Sequence, residues 1–166
     1  EFNKDIIVNY SENKGYFNAT ATYDTVSKNK KAQVIYTLRP GNQYLINKVK
    51  FQNDSIPVTE EIVKVSDKTL LKEGNPFDLG VIKSERERID NQLKQKGFYY
   101  FHPDNLIIQA DSTVTKNHKV ELNVKLKENT PDLAKQQFTI DKVIVFHNCL
   151  SVYFFVEIYT SFKNTR

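Results

Sequence analysis

The tetrapeptide Lys14-Gly15-Tyr16-Phe17 returns further along the chain as Lys96-Gly97-Phe98-Tyr99. Two more landmarks follow each copy in the same order. The alternating apolar residues of 32–38 recur at 120–126, and the strand-like segment 46–51 recurs at 140–145. The offsets between the copies are 82, 88 and 94 residues, which indicates short loop insertions in the second copy. A unit that recurs at this spacing predicts an array of small modules.

Composition narrows the class of protein. The net charge of +4 arises from 24 basic and 20 acidic residues that are interspersed along most of the chain, which argues only weakly for a polyanionic partner. The densest basic run, 28–31, falls between two alternating strands and predicts a hairpin turn rather than a nucleic-acid patch. No stretch approaches the roughly 20 apolar residues of a membrane-spanning helix. Because the chain opens in the middle of a repeat unit, we expect it to be part of a longer protein.

Helix and strand patterns follow one another in a consistent order. The predicted elements are a helix at 3–14, strands at 19–26, 31–38 and 44–51, helices at 58–71 and 79–96, and strands at 105–112, 118–127 and 138–146. From Tyr44 onward the order strand, helix, helix, strand, strand predicts an α+β fold with two helices packed on a three-stranded mixed sheet. The predicted domains are half a repeat at 1–41, a complete β-α-α-β-β repeat at 42–129, and the first strand of a third repeat with an atypical tail at 136–166.

The two helices of the complete repeat differ in the strength of their signals. Asp78 is a good N-cap for the longer helix, and Gly97 is a typical left-handed stop. Its apolar stripe consists of Ile82, Ile89 and Leu93. The run 85–88, Glu-Arg-Glu-Arg, is predicted to form a solvated, internally paired face rather than an active site. In the shorter helix, begun in the region of Thr59, the predicted inward residues are Ile62, Val65 and Leu70.

The serial pattern resembles the polypeptide-transport-associated (POTRA) repeats of the BamA/TamA-like bacterial surface antigen family. In the first copy the matching residues are Gly15-Tyr16-Phe17, Val34, Tyr36, Leu38, Pro40-Gly41, Tyr44, Ile46, Val49 and Phe51. In the second copy they are Phe77-Asp78-Leu79, Ile82, Arg86, Leu93, Gly97-Phe98-Tyr99, Val120, Leu122 and Val124. The resemblance covers residues 3 to 146.

The resemblance implies a function and a location. Proteins of this family carry several such repeats in the periplasm, ahead of a transmembrane β-barrel, and assemble or insert other outer-membrane proteins. By analogy, the partners of this chain would be outer-membrane protein clients and periplasmic accessory proteins, on the periplasmic side of the outer membrane. The composition, rich in Lys, Asn and Tyr, resembles family members from Bacteroidota.

The family topology places the first strand of each hairpin at the edge of its sheet. An edge strand has unpaired N–H and C=O groups that can bind an extended peptide as an added strand. In the complete repeat this predicts partner contacts by Leu106, Ile107, Ile108, Gln109 and Ala110, with Leu106, Ile108 and Ala110 facing inward. In the first unit it predicts contacts by Thr20, Ala21, Thr22 and Tyr23. The alternative to partner binding is that a neighbouring repeat covers this edge or that the edge only faces solvent.

Two functions of other classes remain open at this point. The repeats could be structural spacers that set the distance between a membrane barrel and accessory proteins, with a hinge in the proline-containing linker 128–137. The chain could also contain a small unrelated α+β binding module, for example for RNA. The scarcity of arginine, with only four in the chain, argues against RNA.

The sequence gives no sign of catalysis, a cofactor or a metal. His102, His118 and His147 are scattered, and none has a second ligand at metal-binding spacing. The glycines occur singly, which excludes a phosphate-binding glycine loop. Cys149, the only cysteine, excludes an internal disulfide and has no base beside it in sequence. We therefore predict a binding protein and not an enzyme.

The chain departs from the family pattern after Phe146. A repeat should continue into a helix, but an aromatic run without helix caps follows at 151–159. Two interpretations remain open, a truncated third repeat or a segment foreign to the family.

Overall fold

A computed structural model of the chain describes residues 2–113, 117–147 and 156–164. Three α-helices and seven β-strands lie within these ranges. In chain order they are α1 (Phe2–Asn13), β1 (Thr20–Lys28), β2 (Lys31–Arg39), β3 (Leu45–Phe51), α2 (Pro57–Lys64), α3 (Leu79–Gln95), β4 (Leu106–Asp111), β5 (Lys119–Leu126), β6 (Phe138–His147) and β7 (Val156–Asn164). Short 3₁₀ turns occupy Ser66–Lys68, Pro103–Asn105 and Asp132–Lys135.

The central strand of the complete repeat is β5. It pairs in parallel with β3 and antiparallel with β4, so the spatial order is β3-β5-β4. Alternate side chains of a strand share one face, and here Val120, Leu122 and Val124 are fully buried. They belong to one core cluster with the apolar residues Val58, Ile62, Ile82, Ile89 and Leu93 of the two helices. The predicted α+β class, with two helices on a three-stranded mixed sheet, is confirmed.

The first unit consists of α1 and the β1–β2 hairpin. A two-residue turn joins the strands, and its residues Asn29 and Lys30 both have positive φ, as a turn matched to strand twist requires. One helix on two strands buries little apolar surface. Val34 of β2 is 46% exposed, whereas its counterpart Leu122 in β5 is completely buried. The unit therefore presents an open apolar face where the complete repeat has a closed core.

Helix α3 forms as its sequence signals predict. The Asp78 carboxylate accepts a hydrogen bond from the backbone N–H of Gly80 (2.7 Å), which satisfies a donor in the first turn. The apolar stripe Ile82, Ile89 and Leu93 is buried. Gly97 follows the last turn with φ +93°, in the left-handed region.

Helix α2 is shorter than the predicted helix at 58–71. It ends at Lys64, because Val65 leaves helical geometry and the Ser66 hydroxyl donates to the Val63 carbonyl (2.7 Å). A 3₁₀ turn and extended backbone at Thr69 follow. Because the backbone is extended here, the side chain of Leu71, and not that of Leu70, faces the core. Leu70, predicted to face inward, is 43% exposed, and Leu71 is buried.

The prediction of a solvated face at 85–88 is wrong for Glu85. Its side chain is completely buried. The carboxylate accepts hydrogen bonds from the Leu70 backbone N–H (2.9 Å) and the Thr69 hydroxyl (2.8 Å), and two from the Arg88 guanidinium (2.8 Å each). Glu85 lies between Ile82 and Ile89 on the inner face of α3. It therefore connects α3 to the extended segment that follows α2.

The predicted strand at 138–146 is present as β6. It pairs antiparallel with β7, with a register irregularity between Ile140 and Lys142. In the complete repeat, by contrast, the corresponding strand β3 pairs in parallel with β5. That β6 opens a third repeat stays a prediction. The aromatic run at 151–159 lies partly outside the described residues, and its later part contributes to β7.

We expect Glu85→Ala to lower the free energy of unfolding by about 2 to 4 kcal/mol, because it removes one partner of a buried ion pair and leaves the Leu70 N–H unsatisfied. The measurement is urea unfolding followed by circular dichroism. Glu87→Ala, at an exposed position of the same helix, is the matched control. Equal stability of the two variants would contradict the structural role of Glu85.

Candidate functional site

The first copy of the Lys-Gly-aromatic-aromatic segment forms a junction between the first unit and the complete repeat. This first junction comprises residues 14–17, 43–44 and 77–78. The backbone N–H of Tyr44 donates to the Gly15 carbonyl (2.8 Å), and the Gln43 side-chain amide donates to the Lys14 carbonyl (2.9 Å). The end of α1 is thus hydrogen-bonded directly to the residues that lead into β3.

Glycine is required at position 15 for two reasons. Its φ of +86° is a conformation that residues with a side chain rarely adopt. A Cβ atom at this position would also lie 2.9 Å from the Phe77 carbonyl oxygen and 3.2 Å from that of Tyr44. Beside it the Phe17 ring contacts Tyr44 and Phe77, with ring centroids 4.8 and 5.0 Å apart. Close backbone approach and aromatic packing therefore hold the first junction together.

An ion pair completes the first junction. The Lys14 ammonium lies 2.7 Å from the Asp78 carboxylate. This hydrogen bond lowers the pKa of Asp78, and the backbone N–H of Gly80 acts in the same direction. It also raises the pKa of Lys14. Since Asp78 is the N-cap of α3, the ion pair connects the end of α1 to the beginning of α3.

The second copy of the segment forms a junction of the same design. This second junction comprises residues 96–100 and 137–138. The backbone N–H of Phe138 donates to the Gly97 carbonyl (2.8 Å), and the Gln137 side-chain amide donates to the Lys96 carbonyl (2.6 Å). The Phe138 ring packs edge-on against Tyr100, with centroids 5.3 Å apart.

The glutamines of the junctions were not anticipated from the sequence. The glycine-aromatic segments indicate one side of each junction only. The sequence pattern that could have indicated them is a glutamine followed by an aromatic residue at the start of each strand, Gln43-Tyr44 and Gln137-Phe138. A side-chain amide at this position can reach a carbonyl at the end of the preceding helix, where carbonyls lack partners within the helix.

The predicted contact residues of the complete repeat lie together along β4, at one edge of the three-stranded sheet. Leu106 is buried, and Ile108 packs against the core. Ala110, predicted to face inward, is exposed, because it lies toward the end of an edge strand and outside the core cluster. Ile107 is half-buried, and Gln109 is exposed on the other face.

The hydrogen bonds of β4 show which backbone groups point away from the sheet. Lys127 N–H donates to the Asn105 carbonyl (2.8 Å), which marks a hydrogen-bonded pair at the start of a regular antiparallel register. Along two antiparallel strands, hydrogen-bonded residue pairs alternate with pairs whose N–H and C=O groups point away from the partner strand. The residues whose N–H and C=O groups are directed away from β5 are therefore Leu106, Ile108 and Ala110. Leu106 N–H donates to the Pro103 carbonyl. By the register, the N–H groups of Ile108 and Ala110 point toward the edge.

The opposite edge of the sheet is partly covered. Ile46 N–H donates to the Asn75 carbonyl (2.8 Å), and Gly74 N–H donates to the Ile46 carbonyl (2.7 Å). Phe77 N–H donates to the Tyr44 carbonyl (2.9 Å). The segment 74–77 thus occupies the beginning of the β3 edge, and the two edges of the sheet differ in their accessibility to an added strand.

The predicted contact residues of the first unit lie elsewhere. Thr20, Ala21, Thr22 and Tyr23 form the beginning of β1, which pairs only with β2 in its own two-stranded sheet within the described residues. The Tyr23 ring faces Tyr36 across the hairpin, with centroids 6.2 Å apart. The structure therefore does not combine these residues with those of β4 in one site.

Two of the three histidines, His118 and His102, make contacts within the fold. His118 stacks on Tyr44 (5.3 Å between ring centroids) and contacts the Asn42 amide (2.7 Å). His102 accepts a hydrogen bond from Asp104 N–H at the start of a 3₁₀ turn. Across residues 2–113, 117–147 and 156–164, no group of three or more metal-ligating side chains comes together. In the same ranges, no helix has the length and apolar character needed to cross a membrane. Cys149 lies outside the described residues.

Comparison with protein families gives a match over residues 44–129 to the model described as "POTRA: Surface antigen variable number repeat". The match covers just over half of the chain. The chain belongs to the POTRA family. The matched range coincides with the sheet β3-β5-β4 and its two helices, and it begins at Tyr44 of the first junction. Family membership excludes an unrelated α+β module in this part of the chain.

The POTRA chain is also similar to a curated protein and to solved structures. It is 23% identical over 143 residues to the "Outer membrane protein assembly factor BamA" of Neorickettsia risticii (strain Illinois), across 80% of this chain. It spans about a fifth (19%) of the length of that relative. The structure of BamA from Haemophilus ducreyi lacking POTRA domains 1–3 aligns with a TM-score of 0.51 and 14% identity, across 84% of this chain and 24% of the other. Haemophilus influenzae BamA POTRA3–5 aligns with a TM-score of 0.44 and 16% identity, across 75% and 46%.

We expect Gly15→Ala and Gly97→Ala to destabilise the POTRA chain more than Gly74→Ala does. Gly74 has φ +84°, and no atom lies within 4 Å of the position that an alanine methyl group would take, so its substitution incurs only the left-handed backbone cost of about 1 kcal/mol. At the junctions the methyl group also overlaps backbone atoms, which adds about 1 to 3 kcal/mol. Urea unfolding of the three variants checks this order. A Gly74→Ala variant as unstable as the other two would contradict it.

We expect the Lys14–Asp78 ion pair to make stability depend on pH. The pKa of Asp78 is lower in the folded than in the unfolded chain, so its contribution is present above the unfolded pKa of about 4 and is lost as the pH falls through the folded pKa. The measurement is the free energy of unfolding between pH 7 and pH 2, with the Asp78 carboxyl followed by NMR.

Lys14→Gln is the control for this pH dependence. It should raise the pKa of Asp78 toward its ordinary value and reduce the loss of stability in acid, since the Gly80 hydrogen bond remains. An Asp78 pKa that is the same in both proteins would show that the ion pair is absent in solution.

Proposed function

We propose that this chain is the periplasmic POTRA region of an outer-membrane protein assembly factor and that it binds extended β-strands of client proteins by strand addition to β4. The name of the curated relative supports the general role. The observation that carries the binding mode is the edge position of β4, with the N–H groups of Ile108 and Ala110 and the carbonyls of Leu106, Ile108 and Ala110 directed away from β5.

Main-chain pairing suits a protein with many clients. The outward groups of β4 recur every second residue, which is the spacing of the complementary groups on an added strand. Such hydrogen bonds are made to the client backbone and so depend little on the client sequence. Clients destined for a β-barrel have alternating apolar residues, and one face of an added strand would continue the inner face of the sheet.

A groove beside β4 supplies a second element of recognition. It has a volume of about 350 Å³ and is lined by Ile107, Gln109, Lys125, Leu126, Lys127, Glu128 and Asn129. Ile107 and Gln109 project to the face of the sheet opposite the core. Side chains on that face of an added strand would contact the groove. Its two lysines outnumber the one carboxylate, Glu128, and so would favour acidic over basic residues there.

The beginning of β1 is a second candidate strand for the same mode of binding. The hairpin register places Thr20 and Thr22 in hydrogen-bonded pairs with β2 and directs the backbone groups of Ala21 and Tyr23 outward. Accessory proteins of the assembly machinery are candidate partners for this edge. The Bacteroidota origin inferred from composition stays a prediction.

A role as a structural spacer is the second candidate function. The observation in its favour is the common design of the two junctions, since direct hydrogen bonds between consecutive units restrict their relative orientation. The two functions are compatible. A chain that keeps a fixed angle between its units but binds none of several extended peptides would favour the spacer.

We expect Ile108→Pro to weaken binding of an extended peptide by at least about fivefold, because it removes an outward donor worth about 1 kcal/mol and leaves the donors that bond to β5 in place. The probe is a synthetic peptide with the alternating sequence of an outer-membrane β-strand, titrated into the isotope-labelled full chain. Shifts are expected along residues 105–111.

Ile108→Ala is the matched control, since it removes the same packing but keeps the N–H group. Ala110→Pro tests the other outward donor at an exposed position, where no core contact is lost. Unchanged binding in a folded Ile108→Pro variant would exclude strand addition at β4.

A further inference from the structure

The tip of the β1–β2 hairpin, residues 26–35, concentrates positive charge. It contains three lysines, Lys28, Lys30 and Lys31, and no acidic residue, and all ten of its residues are exposed. None of the three ammonium groups has an ion-pair partner within the described part of the chain. Asp24, the only acidic residue of the hairpin, instead accepts a hydrogen bond from the Thr25 backbone N–H (2.8 Å). The charge of the tip is therefore unbalanced.

Two features of the hairpin tip oppose folding. Lys28 and Lys31 lie directly opposite each other on the two strands, and like charges in opposed positions repel. Lys30 has φ +60°, in a turn position where glycine is the preferred residue. Unfavourable local choices at neighbouring positions are expected where a segment serves binding rather than stability.

The hairpin of the complete repeat lacks this excess of charge. By the correspondence between the two copies, the opposed pair Val26 and Gln33 takes the place of the opposed pair Asp111 and Glu121. The Glu121 carboxylate is in turn bound to the Lys50 ammonium (2.8 Å). One hairpin thus has carboxylates where the other has an apolar and a neutral residue. The charge of the tip is a property of the first unit and not of the POTRA fold.

Exposed apolar side chains lie beside the lysines. Opposed residues of an antiparallel pair share a face, as do alternate residues of one strand, so Val26, Lys28, Lys31 and Ile35 lie on the same face of the hairpin. Val26 is 49% exposed and Ile35 is 46% exposed. The tyrosine pair of the hairpin lies on the opposite face. One face of the tip therefore combines cations with aliphatic groups.

We infer that the hairpin tip binds the surface of a membrane that contains anionic lipids. The lysines contact lipid phosphate groups, and Val26 and Ile35 enter the interfacial layer of the membrane. Basic and apolar side chains together are typical of segments that bind at a membrane surface. Nucleic acid fits less well, because its bases stack on aromatic side chains or arginine, and the tip contains neither.

The test is flotation of the full chain with lipid vesicles. One set of vesicles consists of phosphatidylcholine alone, and the other of phosphatidylcholine mixed with anionic phosphatidylglycerol. We expect binding to the mixed vesicles only, with an affinity that falls as the salt concentration rises. Glutamine in place of Lys28, Lys30 or Lys31 should weaken this binding by about fivefold for each lysine. Equal binding to both sets of vesicles would overturn the proposal.

A triple variant with the same loss of charge elsewhere is the matched control. It combines Lys68→Gln, Lys72→Gln and Lys83→Gln, at exposed positions of the complete repeat. This control should bind the mixed vesicles as the unmodified chain does, whereas the triple glutamine variant of the tip should not. Equal losses in the two variants would show that only net charge matters and would overturn the assignment to the tip. Val26→Ser should weaken binding without changing its dependence on salt.

NMR of the isotope-labelled full chain locates the contact. With mixed vesicles, the signals of residues 26–35 should broaden and those of β4 should not. Inorganic phosphate or an oligonucleotide that perturbs the tip as strongly as the vesicles do would overturn the assignment to a membrane. The triple glutamine variant of the tip should bind an extended peptide at β4 as the unmodified chain does, so this proposal and strand addition fail separately.

Discussion

The hydrogen bond from the Tyr44 backbone N–H to the Gly15 carbonyl connects the first unit to the complete repeat that begins with β3. It can form only because Gly15 turns the chain into the left-handed region and has no Cβ to collide with Phe77. The same constraint recurs at Gly97, where Phe138 takes the place of Tyr44. The orientation of each unit relative to the next therefore depends on a position at which any side chain would separate them.

The complete repeat combines a closed core with two unequal sheet edges. Burial of β5 between its neighbours stabilises the unit, and the buried carboxylate of Glu85 connects α3 to the extended segment after α2. Segment 74–77, which covers the beginning of the β3 edge, is the same segment that reaches the first junction through Phe77. Docking of the first unit and covering of one edge are thus structurally linked, and β4 forms the other edge of the sheet.

The sequence correctly predicted those elements whose formation depends on residues close together in the chain. Asp78, Gly97 and the apolar stripe of α3 act within a few residues of themselves, so their pattern was sufficient. Glu85 was misassigned because its partners, Thr69 and Leu70, come from another segment, and no periodicity reveals a backbone N–H that needs an acceptor. The end of α2 was missed partly for a related reason, since the burial of Leu71 is decided by tertiary packing. The hydrogen bond from Ser66 to the Val63 carbonyl is local, but the apolar pattern does not reveal it. At the candidate site the edge position of β4 followed from the family topology, whereas the junction glutamines act across units and were not recognised.

The junctions have an evolutionary consequence. Their acceptors are the main-chain carbonyls of Lys14, Gly15, Lys96 and Gly97, which every amino acid possesses. The hydrogen bonds themselves therefore constrain few positions: a glycine after the helix, and a glutamine and an aromatic residue at the start of the strand. At the first junction the ring contacts of Phe17 and the Lys14–Asp78 ion pair add further constraints. The rest of each unit's surface takes no part in these hydrogen bonds, so substitutions there would leave the junctions in place. A lineage could in this way lengthen or shorten its array by duplicating whole units, without having to evolve a new interface each time.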